Sequence, residues 1–489
     1  MRSLTTENTR AGLARASRTL ERHSGVQIPL KHSISSAYGE KHIFLVIVLF
    51  LVQYYSVFIS AALSNETDQQ ALLAFRNLVT SPSHFLVNNW TSFCSWFGVN
   101  CGTRKQRVVA LVLPDLQLQG TISPSLANLS FLGELNLRNN QLQGNIPTSL
   151  FQHQRIQVIS LAINKLSGEL WKGPWYVPEL RALNLRNNSL IGIIPPSVGN
   201  ATKLMNFSLY VNKISGNIPK EICNLSQLKF LSLANNQLTG SIPATLFNIS
   251  SLLAIYLGDN SLSGPLLLNE GNIVSNLQSL GISYNQISGC IPSNICQLTE
   301  LKMLSISFNK ITGNIPRNIG CLSKLEEFYI GYNPLIGTIP TSLSNISALR
   351  NIFCGNNYLE GPIPPKLGKL YNLSELGFRH NYNRFGEIPE DIFNISSLEI
   401  IVFDSNNLSM RIPATTGLHL PNLEEISLGN NQLEGEIPLF ITNASKLEVL
   451  VLINNFLTGT IPVNLGNLRE LHSLLLHTNQ LANEPREHE

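Results

Sequence analysis

The segment Leu132-Gly-Glu-Leu-Asn-Leu-Arg-Asn-Asn-Gln-Leu-Gln-Gly-Asn-Ile-Pro147 decides the fold, because its pattern returns about every 24 residues through most of the chain. One asparagine marks each return: Asn140, Asn164, Asn188, Asn212, Asn236, Asn260, Asn285, Asn309, Asn333, Asn357, Asn381, Asn406, Asn431, Asn455 and Asn479. An earlier copy has Leu116 in the asparagine position, which brings the count to sixteen. A fixed period of about 20 to 29 residues with this leucine spacing predicts a solenoid, in which each coil packs on its neighbours.

The pattern within one copy is that of a leucine-rich repeat. The alternating Leu-x-Leu predicts a short strand whose leucines point inward and whose intervening residues point outward. The ladder asparagine that follows can satisfy buried backbone donors and acceptors in the turn. The glycine four residues later, such as Gly144, permits unusual backbone conformations, and the next Ile-Pro, found twelve times, excludes a long helix. Each repeat is therefore predicted to hold a strand, a turn, an extended segment and at most a short helical turn.

Residues 64–107 differ from the repeats and predict a cap over the first coil. The capping box at Thr67-Asp-Gln-Gln70 predicts a short helix that begins near Asp68. Cys94 and Cys101 lie seven positions apart, with Trp90 before them and Trp96 between them, which in a secreted chain indicates a disulfide. A cap is needed because an open solenoid end exposes core side chains and a strand edge. The sixteen repeats are then expected over residues 108–489, with the last one incomplete.

The start of the chain predicts entry into the secretory pathway. Residues 43–63 are uncharged and mostly apolar, which predicts a signal peptide or a retained signal anchor. Residues 1–42 are expected to be a disordered basic extension, although their composition also occurs in organellar transit peptides. Because the Lys/Arg excess precedes the apolar segment, the repeats are expected on the lumenal or extracellular side of the membrane.

Potential N-glycosylation sites agree with secretion. Thirteen sequons follow the apolar segment: Asn65, Asn89, Asn128, Asn187, Asn200, Asn206, Asn224, Asn248, Asn345, Asn372, Asn394, Asn407 and Asn443. Six of them lie 12 residues after a ladder position, on the segment that returns along the far side of the coil: Asn128, Asn200, Asn224, Asn248, Asn345 and Asn443. Glycans on that side would leave the strand face open.

Outward-pointing residues of the strands would form a concave surface of the kind that solenoids use for binding. Between repeats five and eleven these positions become aromatic and then basic: Tyr210, Tyr256, Tyr284, Phe308, Tyr329, Tyr332, Phe353, Arg379 and His380. Aromatic residues and arginine are enriched at binding hot spots. Single exposed aromatic side chains are also common on any surface. The clustering on consecutive coils favours a ligand-binding surface.

Other functional classes receive little support from the residues. With a net charge of +3 and 13% charged residues, the chain lacks the electrostatic footprint of a nucleic-acid-binding protein. Neither the cysteines nor the ten histidines have metal-ligand spacing, and no cofactor is expected. The histidines, including His153, are interpreted as solvated, and no nucleophile with a paired base is apparent, so catalysis is not expected.

Five further cysteines leave their pairing open. Cys354 occupies an inward strand position and is expected to act as a small buried hydrophobe. Cys296 and Cys321 have nearly the same phase in adjacent coils, so they are expected either to form a disulfide or to remain free. Nothing in the spacing decides the state of Cys223 and Cys290.

The cap and the Leu-x-Gly-x-Ile-Pro repeat together resemble the ectodomains of plant leucine-rich-repeat receptor-like serine/threonine kinases, over about residues 66–481. Residues 68–76 and the Gly120-Thr-Ile-Ser-Pro-Ser-Leu126 segment are most similar to the subfamily that contains bacterial pattern receptors. The resemblance implies an α/β solenoid, a right-handed superhelix with parallel strands on its concave face and an N-terminal disulfide cap. It also implies a peptide or protein ligand on that face and a co-receptor ectodomain as a second partner.

The resemblance leaves two kinds of function open. The family continues into a transmembrane helix and a kinase, whereas this sequence stops at Glu489 and contains no kinase motif. Kinase activity is therefore not expected, and the chain is interpreted as a truncated receptor, a receptor-like fragment or a secreted decoy. The alternative is a secreted inhibitor of cell-wall-degrading enzymes that resembles polygalacturonase-inhibiting proteins. Those proteins are shorter and carry a C-terminal cysteine cap.

Overall fold

The computed structural model describes residues 65–81, 92–103, 106–268, 276–381 and 386–482. All of them belong to the second of two compact units, Ser64–Glu489. The expected basic extension, the apolar segment at 43–63 and the sequon at Asn89 lie outside the described residues. Within the described ranges, every helix is too short or too polar to cross a membrane.

Helix α1 spans Asn65–Arg76 and begins three residues before the predicted start at Asp68. Asp68 does not act as a free cap, because its side chain is fully buried. Its carboxylate accepts hydrogen bonds from Nε and Nη2 of Arg107, at 2.9 and 2.8 Å, and from the backbone N–H of Val108 at 2.8 Å. This buried pair joins the helix of the cap to the first repeat.

A long sheet of short strands forms one face of the solenoid. Its strands are Val99–Cys101, Val108–Val112, Glu134–Asn136, Val158–Ser160, Ala182–Asn184, Asn206–Ser208, Phe230–Ser232, Ala254–Tyr256, Ser279–Gly281, Met303–Ser305, Glu327–Tyr329, Asn351–Phe353, Glu375–Gly377, Ile400–Val402, Glu425–Ser427, Val449–Val451 and Ser473–Leu475. The first strand belongs to the cap and pairs antiparallel with the second. The other sixteen pair in parallel, coil to coil, in constant register. The predicted solenoid with sixteen parallel strands is confirmed.

The core is built from the same positions in every coil. Leu135 of one strand, Leu137 directly after it and Leu142 of the next segment are fully buried. The equivalent side chains of most coils form one continuous cluster, whereas Leu474 of the last described coil is 42% exposed. At about 25 cal/mol per Å² of apolar surface, such burial is the main stabilising contribution to the fold. Because each coil packs on two neighbours, the cluster extends along the solenoid without widening.

The asparagine ladder satisfies the backbone of the turn, as predicted. The Nδ2 group of Asn140 donates to the carbonyls of Leu113 and Leu137, at 2.8 and 3.0 Å. Its Oδ1 accepts from the N–H of Leu118 at 2.9 Å. The bond to Leu137 lies within the coil of Asn140, whereas the bonds to Leu113 and Leu118 reach the preceding coil. The ladder therefore links neighbouring turns.

A second set of strands lies after the ladder, where the sequence predicted only extended chain. These strands are Val79–Thr80, Gln119–Thr121, Gln141–Gly144, Lys165–Glu169, Ser189–Ile191, Ser215–Asn217, Gln237–Gly240, Ser261–Pro265, Gln286–Ser288, Gly313–Asn314, Leu335–Thr338, Tyr358–Glu360, Ser409–Arg411, Gln432–Glu436 and Phe456–Thr458. They pair in parallel in several short sheets, except for the first, which is antiparallel to its neighbour. Gly144 has φ of 79° at the end of its strand, which only glycine adopts readily.

Short 3₁₀ helices complete the coils on the return side, which agrees with the prediction of at most a helical turn. They span Phe93–Ser95 in the cap and then Pro124–Asn128, Thr148–Gln152, Pro196–Asn200, Lys220–Asn224, Ala244–Asn248, Ser293–Gln297, Ile319–Cys321, Thr341–Asn345, Pro365–Lys369, Glu390–Asn394, Leu439–Asn443 and Val463–Asn467. Most follow an Ile-Pro whose proline has the extended conformation before the first turn, as Pro219 does.

Two disulfides fix the chain. Cys94 and Cys101 are bonded within the cap, as predicted. Cys296 and Cys321 are also bonded, across a sequence separation of 25 residues, and this settles the alternatives that their spacing left open. Cys354 is fully buried, as expected, and burial raises the pKa of its thiol well above the usual range.

Candidate ligand-binding cleft

Strand ends supply the first row of aromatic side chains. Tyr329 and Phe353 are the last residues of adjacent strands and lie opposite each other in the sheet register. Their rings stack with centroids 5.7 Å apart and an angle of 19° between the planes. Phe353 lies over the next strand, where a Cβ atom on Gly377 would stand 2.6 Å from its Cδ1. The missing side chain at Gly377 therefore makes room for the ring of Phe353.

A second aromatic row lies in the turns rather than on the strands. Tyr284, Phe308 and Tyr332 each precede a ladder asparagine and have φ of 56°, 54° and 55°. Their ring centroids are 4.1 and 3.9 Å apart, with interplanar angles of 11° and 12°. The same turn position is left-handed in the other coils, where residues such as Asn139 tolerate it better. A bulky side chain at this backbone costs about 1 kcal/mol or more, so the row is retained against local strain.

The expectation that all the aromatic residues stand on strands was therefore wrong in part. Of the predicted set, only Tyr256, Tyr329 and Phe353 lie on strands, because the strands of these coils are just three residues long. The others stand in the turn beyond the strand end, and this holds for Tyr210, Tyr284, Phe308, Tyr332, Arg379 and His380.

Tyr329 and Phe353 of the first row, Phe308 and Tyr332 of the second row and Arg379 line one cavity of about 560 Å³, which we call the aromatic cleft. Nη2 of Arg379 donates to the phenol oxygen of Tyr332 at 2.8 Å. This hydrogen bond connects the guanidinium to the aromatic row in the turns. Three backbone positions without side chains, Gly331, Gly355 and Gly377, are part of its lining. The remaining lining residues are Ser307, Asn356, Ile400, Val402, Asp404, Glu425 and Ser427.

Carboxylates also line the cleft, and the sequence interpretation missed them. Oδ1 of Asp404 accepts from the hydroxyl of Ser427 at 2.6 Å and from the N–H of Gly429 at 3.0 Å. Burial and the neighbouring Asp404 raise the pKa of Glu425, while Arg379 acts in the opposite direction. Asp404 has the same repeat phase as Arg379, two residues before the ladder asparagine, and this signal was present in the sequence.

Burial, followed by the charges of Glu327 and Glu375, raises the pKa of Tyr329 to about 12. Its hydroxyl therefore stays protonated at any physiological pH and can donate a hydrogen bond to a ligand. The cleft combines stacked ring faces, a neutral phenol, one guanidinium and several carboxylates.

The remaining predicted residues lie outside the cleft. Tyr284 stacks on Phe308 at its margin, and His380 lines an adjoining open groove of about 590 Å³ that Phe308 and Tyr332 share. Tyr256 has Ser232 and Gly281 as its neighbours in the sheet register. Tyr210 is 39% exposed in the turn of an earlier coil. The predicted set thus divides into residues of the cleft, residues at its margin and isolated positions.

Two sequons lie on the strand side, although the phase of the others favoured the return side. Asn206 begins the strand Asn206–Ser208 and is exposed. Asn187 is an exposed turn residue whose N–H donates to the carbonyl of Tyr210 at 2.7 Å. The six sequons with return-side phase all end 3₁₀ helices, as expected. Glycans at Asn187 and Asn206 would therefore cover the face near Tyr210 and not the cleft several coils away.

His153 is buried, so the expectation that this histidine is solvated was wrong. Its Nε2–H donates to the carbonyl of Leu129 at 3.0 Å, and its Nδ1 accepts from the N–H of Ile156 at 3.0 Å. Burial lowers the pKa of the imidazole. The described ranges contain no group of three His, Cys, Asp or Glu side chains that could hold a metal ion.

Known protein families match the same parts of the chain. Residues 65–102 match a leucine rich repeat N-terminal domain, and residues 275–335 match a leucine rich repeat family. Single leucine rich repeats match at 131–153, 179–201, 227–249, 422–444 and 446–468. The chain therefore contains leucine-rich repeats and a leucine-rich-repeat N-terminal domain. The N-terminal domain of this leucine-rich-repeat protein coincides with helix α1 and the Cys94–Cys101 disulfide.

Its homologues include plant leucine-rich-repeat receptor kinases. A stretch of 105 residues is 44% identical to the LRR receptor-like serine/threonine-protein kinase EFR of Arabidopsis thaliana, which is 21% of this chain and 10% of that relative. The leucine-rich-repeat protein therefore spans about a tenth of the length of the curated relatives that it matches first.

Solved plant receptor structures have the same fold. The crystal structure of PEPR1-AtPEP1 aligns with a TM-score of 0.72 and 30% identity, covering 85% of this chain and 65% of that one. The plant peptide hormone receptor RGFR1 in complex with RGF2 aligns with a TM-score of 0.63 and 28% identity, covering 79% and 72%. The leucine-rich-repeat protein thus has the solenoid fold of plant receptor ectodomains.

Proposed function

We propose that the leucine-rich-repeat protein is an extracellular ligand-recognition module of the receptor-kinase type in plant signalling or immunity. Its ligand would be a peptide or protein that binds in the aromatic cleft. The observation that carries the proposal is the cavity lined by the stacked pair Tyr329–Phe353 on one side. Tyr332 and the Arg379 guanidinium bonded to it line the other side. The structural similarity to RGFR1 in complex with RGF2 supports a peptide as ligand.

The dimensions of the cleft suit an extended chain. Its lining residues come from six consecutive coils, from the coil of Ser307 to that of Ser427. At about 4.8 Å between strands, six coils extend over roughly 24 Å. An extended peptide of about seven residues would span this distance at roughly 3.3 Å per residue. Ring faces would take up apolar side chains, and Arg379 and the hydroxyl of Tyr329 would bind polar groups.

The test is to display the full chain, produced in plant cells, to a random peptide library and to measure the affinity of the selected peptides. Replacing both Tyr329 and Phe353 with alanine should weaken binding by about 1,000-fold, since buried aromatic hot spots contribute about 2 kcal/mol or more each. Tyr256→Ala is the matched control, because Tyr256 ends a strand in the same way but lies outside the cleft. Equal affinity of the double variant and the control, with both folded, would rule out the cleft as the site.

We also propose the cellular setting and the division of the chain. Residues 1–42 would be a basic extension, 43–63 a signal peptide or anchor, 64–107 the cap and 108–489 the repeats. The ectodomain fold supports a position outside the cell or on the outer face of the plasma membrane. A co-receptor ectodomain would be the second partner. N-terminal sequencing of the secreted protein would locate cleavage near residue 63, and glycopeptide mapping would show which of the sequons are used.

A further inference from the structure

Glutamates occupy every second strand at the cleft. Glu327, Glu375 and Glu425 are each the first residue of a strand, and the intervening strands begin with Asn351 and Ile400. The sheet register aligns all five positions in one row. With strands about 4.8 Å apart, the three carboxylates therefore repeat at about 9.6 Å.

These carboxylates form no ion pair in the part of the chain that the structure describes, although Arg379 acts electrostatically on Glu425. There, no Lys, Arg or His nitrogen lies within ion-pair distance of Glu327, Glu375 or Glu425. The nearby bases Lys302 and Arg350 approach Glu326 instead, at 3.9 and 3.7 Å.

The charge of the cleft itself is unbalanced. Asp404 and Glu425 line the cavity together with Arg379, whose guanidinium bonds to Tyr332. Glu327 and Glu375 lie close enough for their charges to raise the pKa of the Tyr329 hydroxyl. Four carboxylates thus surround the stacked rings and one guanidinium, and each half-buried carboxylate without a partner is a place where a ligand cation gains from reduced screening.

The arrangement is confined to the coils that form the cleft. Equivalent strand-start positions in the earlier coils hold Val158, Ala182, Asn206, Phe230 and Ala254, and then Ser279 and Met303. Only Glu134, far from the cleft, repeats the acidic residue. Two independent features, the aromatic cavity and the alternating carboxylates, therefore coincide on the same coils.

We infer that the ligand is a basic peptide in an extended, polyproline-like conformation, with Lys or Arg at every third residue facing Glu327, Glu375 and Glu425. A polyproline II chain has three residues per turn and advances about 9.3 Å per turn, close to the spacing of the carboxylates. Side chains on its other faces would reach the rings of Tyr329 and Phe353. This inference rests on the proposed function and adds the charge and the spacing of the ligand.

The test uses the full chain and three synthetic peptides with blocked ends. The first peptide has lysines at every third residue on both sides of a central phenylalanine. The second has the same composition with the lysines contiguous. The third is the first peptide with glutamate in place of each lysine. Titration calorimetry should show tightest binding for the first, with an affinity that falls as salt concentration rises. Glu375→Gln should weaken its binding about three- to tenfold. Glu134→Gln, a strand-start glutamate outside the cleft, is the matched control and should change nothing.

Several results would overturn the inference: no binding of the first peptide, equal binding of the lysine and glutamate peptides, or equal effects of Glu375→Gln and Glu134→Gln. The library selection separates these failures from failure of the proposed function. If the selected peptides are neutral or acidic and still require Tyr329 and Phe353, the cleft is a binding site and only the basic ligand is wrong.

Discussion

Replacing the ladder residue Asn333 with alanine should destabilise the middle of the solenoid. Its Nδ2 donates to the carbonyls of Ile306 and Ile330, at 3.0 and 3.1 Å, and its Oδ1 accepts from the N–H of Ile311 at 3.0 Å. Asn333 is only 4% exposed, so water cannot simply replace the amide. Leaving buried backbone groups unpaired costs about 1 to 3 kcal/mol each, and we expect a total loss of about 3 to 5 kcal/mol.

The loss should be local, since each coil contacts only its neighbours. Hydrogen exchange measured by mass spectrometry should show faster exchange in the coil of Asn333 and in the two adjacent coils, together with a lower melting temperature. Asn314→Ala is the matched control, because Asn314 is an exposed asparagine on a second-set strand one coil earlier. If Asn333→Ala and Asn314→Ala show the same exchange and the same melting temperature, the ladder amide does not stabilise the turn in the way described.

Three further outcomes follow from buried or bonded groups. Arg107→Met should cost about 3 to 5 kcal/mol in urea unfolding because it leaves the Asp68 carboxylate buried without a countercharge, and adding Asp68→Leu should recover most of that loss. Changing both Cys296 and Cys321 to serine should lower stability by about 2 to 4 kcal/mol, seen by calorimetry, and should leave wild type and variant alike under reducing conditions. For His153, whose folded-state pKa is lowered, stability is complete above the unfolded-state pKa of 6.5 and is lost as the pH falls through the lower folded-state value. The melting temperature should therefore drop between about pH 7 and pH 5, and less so in His153→Gln, whereas an equal drop in both would contradict the assignment.

The coil number and the main sheet could be predicted because the ladder fixes a phase for every residue. The second set of strands could not, since a segment such as Gln141–Gly144 buries only Leu142 and shows no alternation of apolar residues. Its pairing comes from the stacking of coils and not from local preference. The partner of Asp68 was also hidden, because Arg107 lies 39 residues away and the local sequence favours a capping role.

At the candidate cleft, the ladder phase placed the aromatic residues on one face but could not show which of them meet. Tyr256 and Tyr329 have the same phase, yet only Tyr329 has an aromatic neighbour at the next strand end, where Tyr256 has Gly281. Because the strands end after three residues, Phe308 and Tyr332 lie in left-handed turns. Residue preferences do not predict this backbone conformation for aromatic side chains. Residue type alone favours aromatic residues and arginine as binding residues, so the sequence does not single out the carboxylate of Glu425.

The left-handed turn position before each ladder asparagine has nearly the same backbone in every coil, with φ of 53° at Asn139 and 54° at Phe308. Adjacent turns are held at the spacing of paired strands, about 4.8 Å, which is close to the distance between stacked rings. The spacing of the coils therefore places aromatic residues that are about 24 positions apart in the sequence into one column of parallel rings. Such a column could be lengthened or moved by single substitutions at the turn, so this scaffold can acquire a new aromatic surface on any coil without a change of fold.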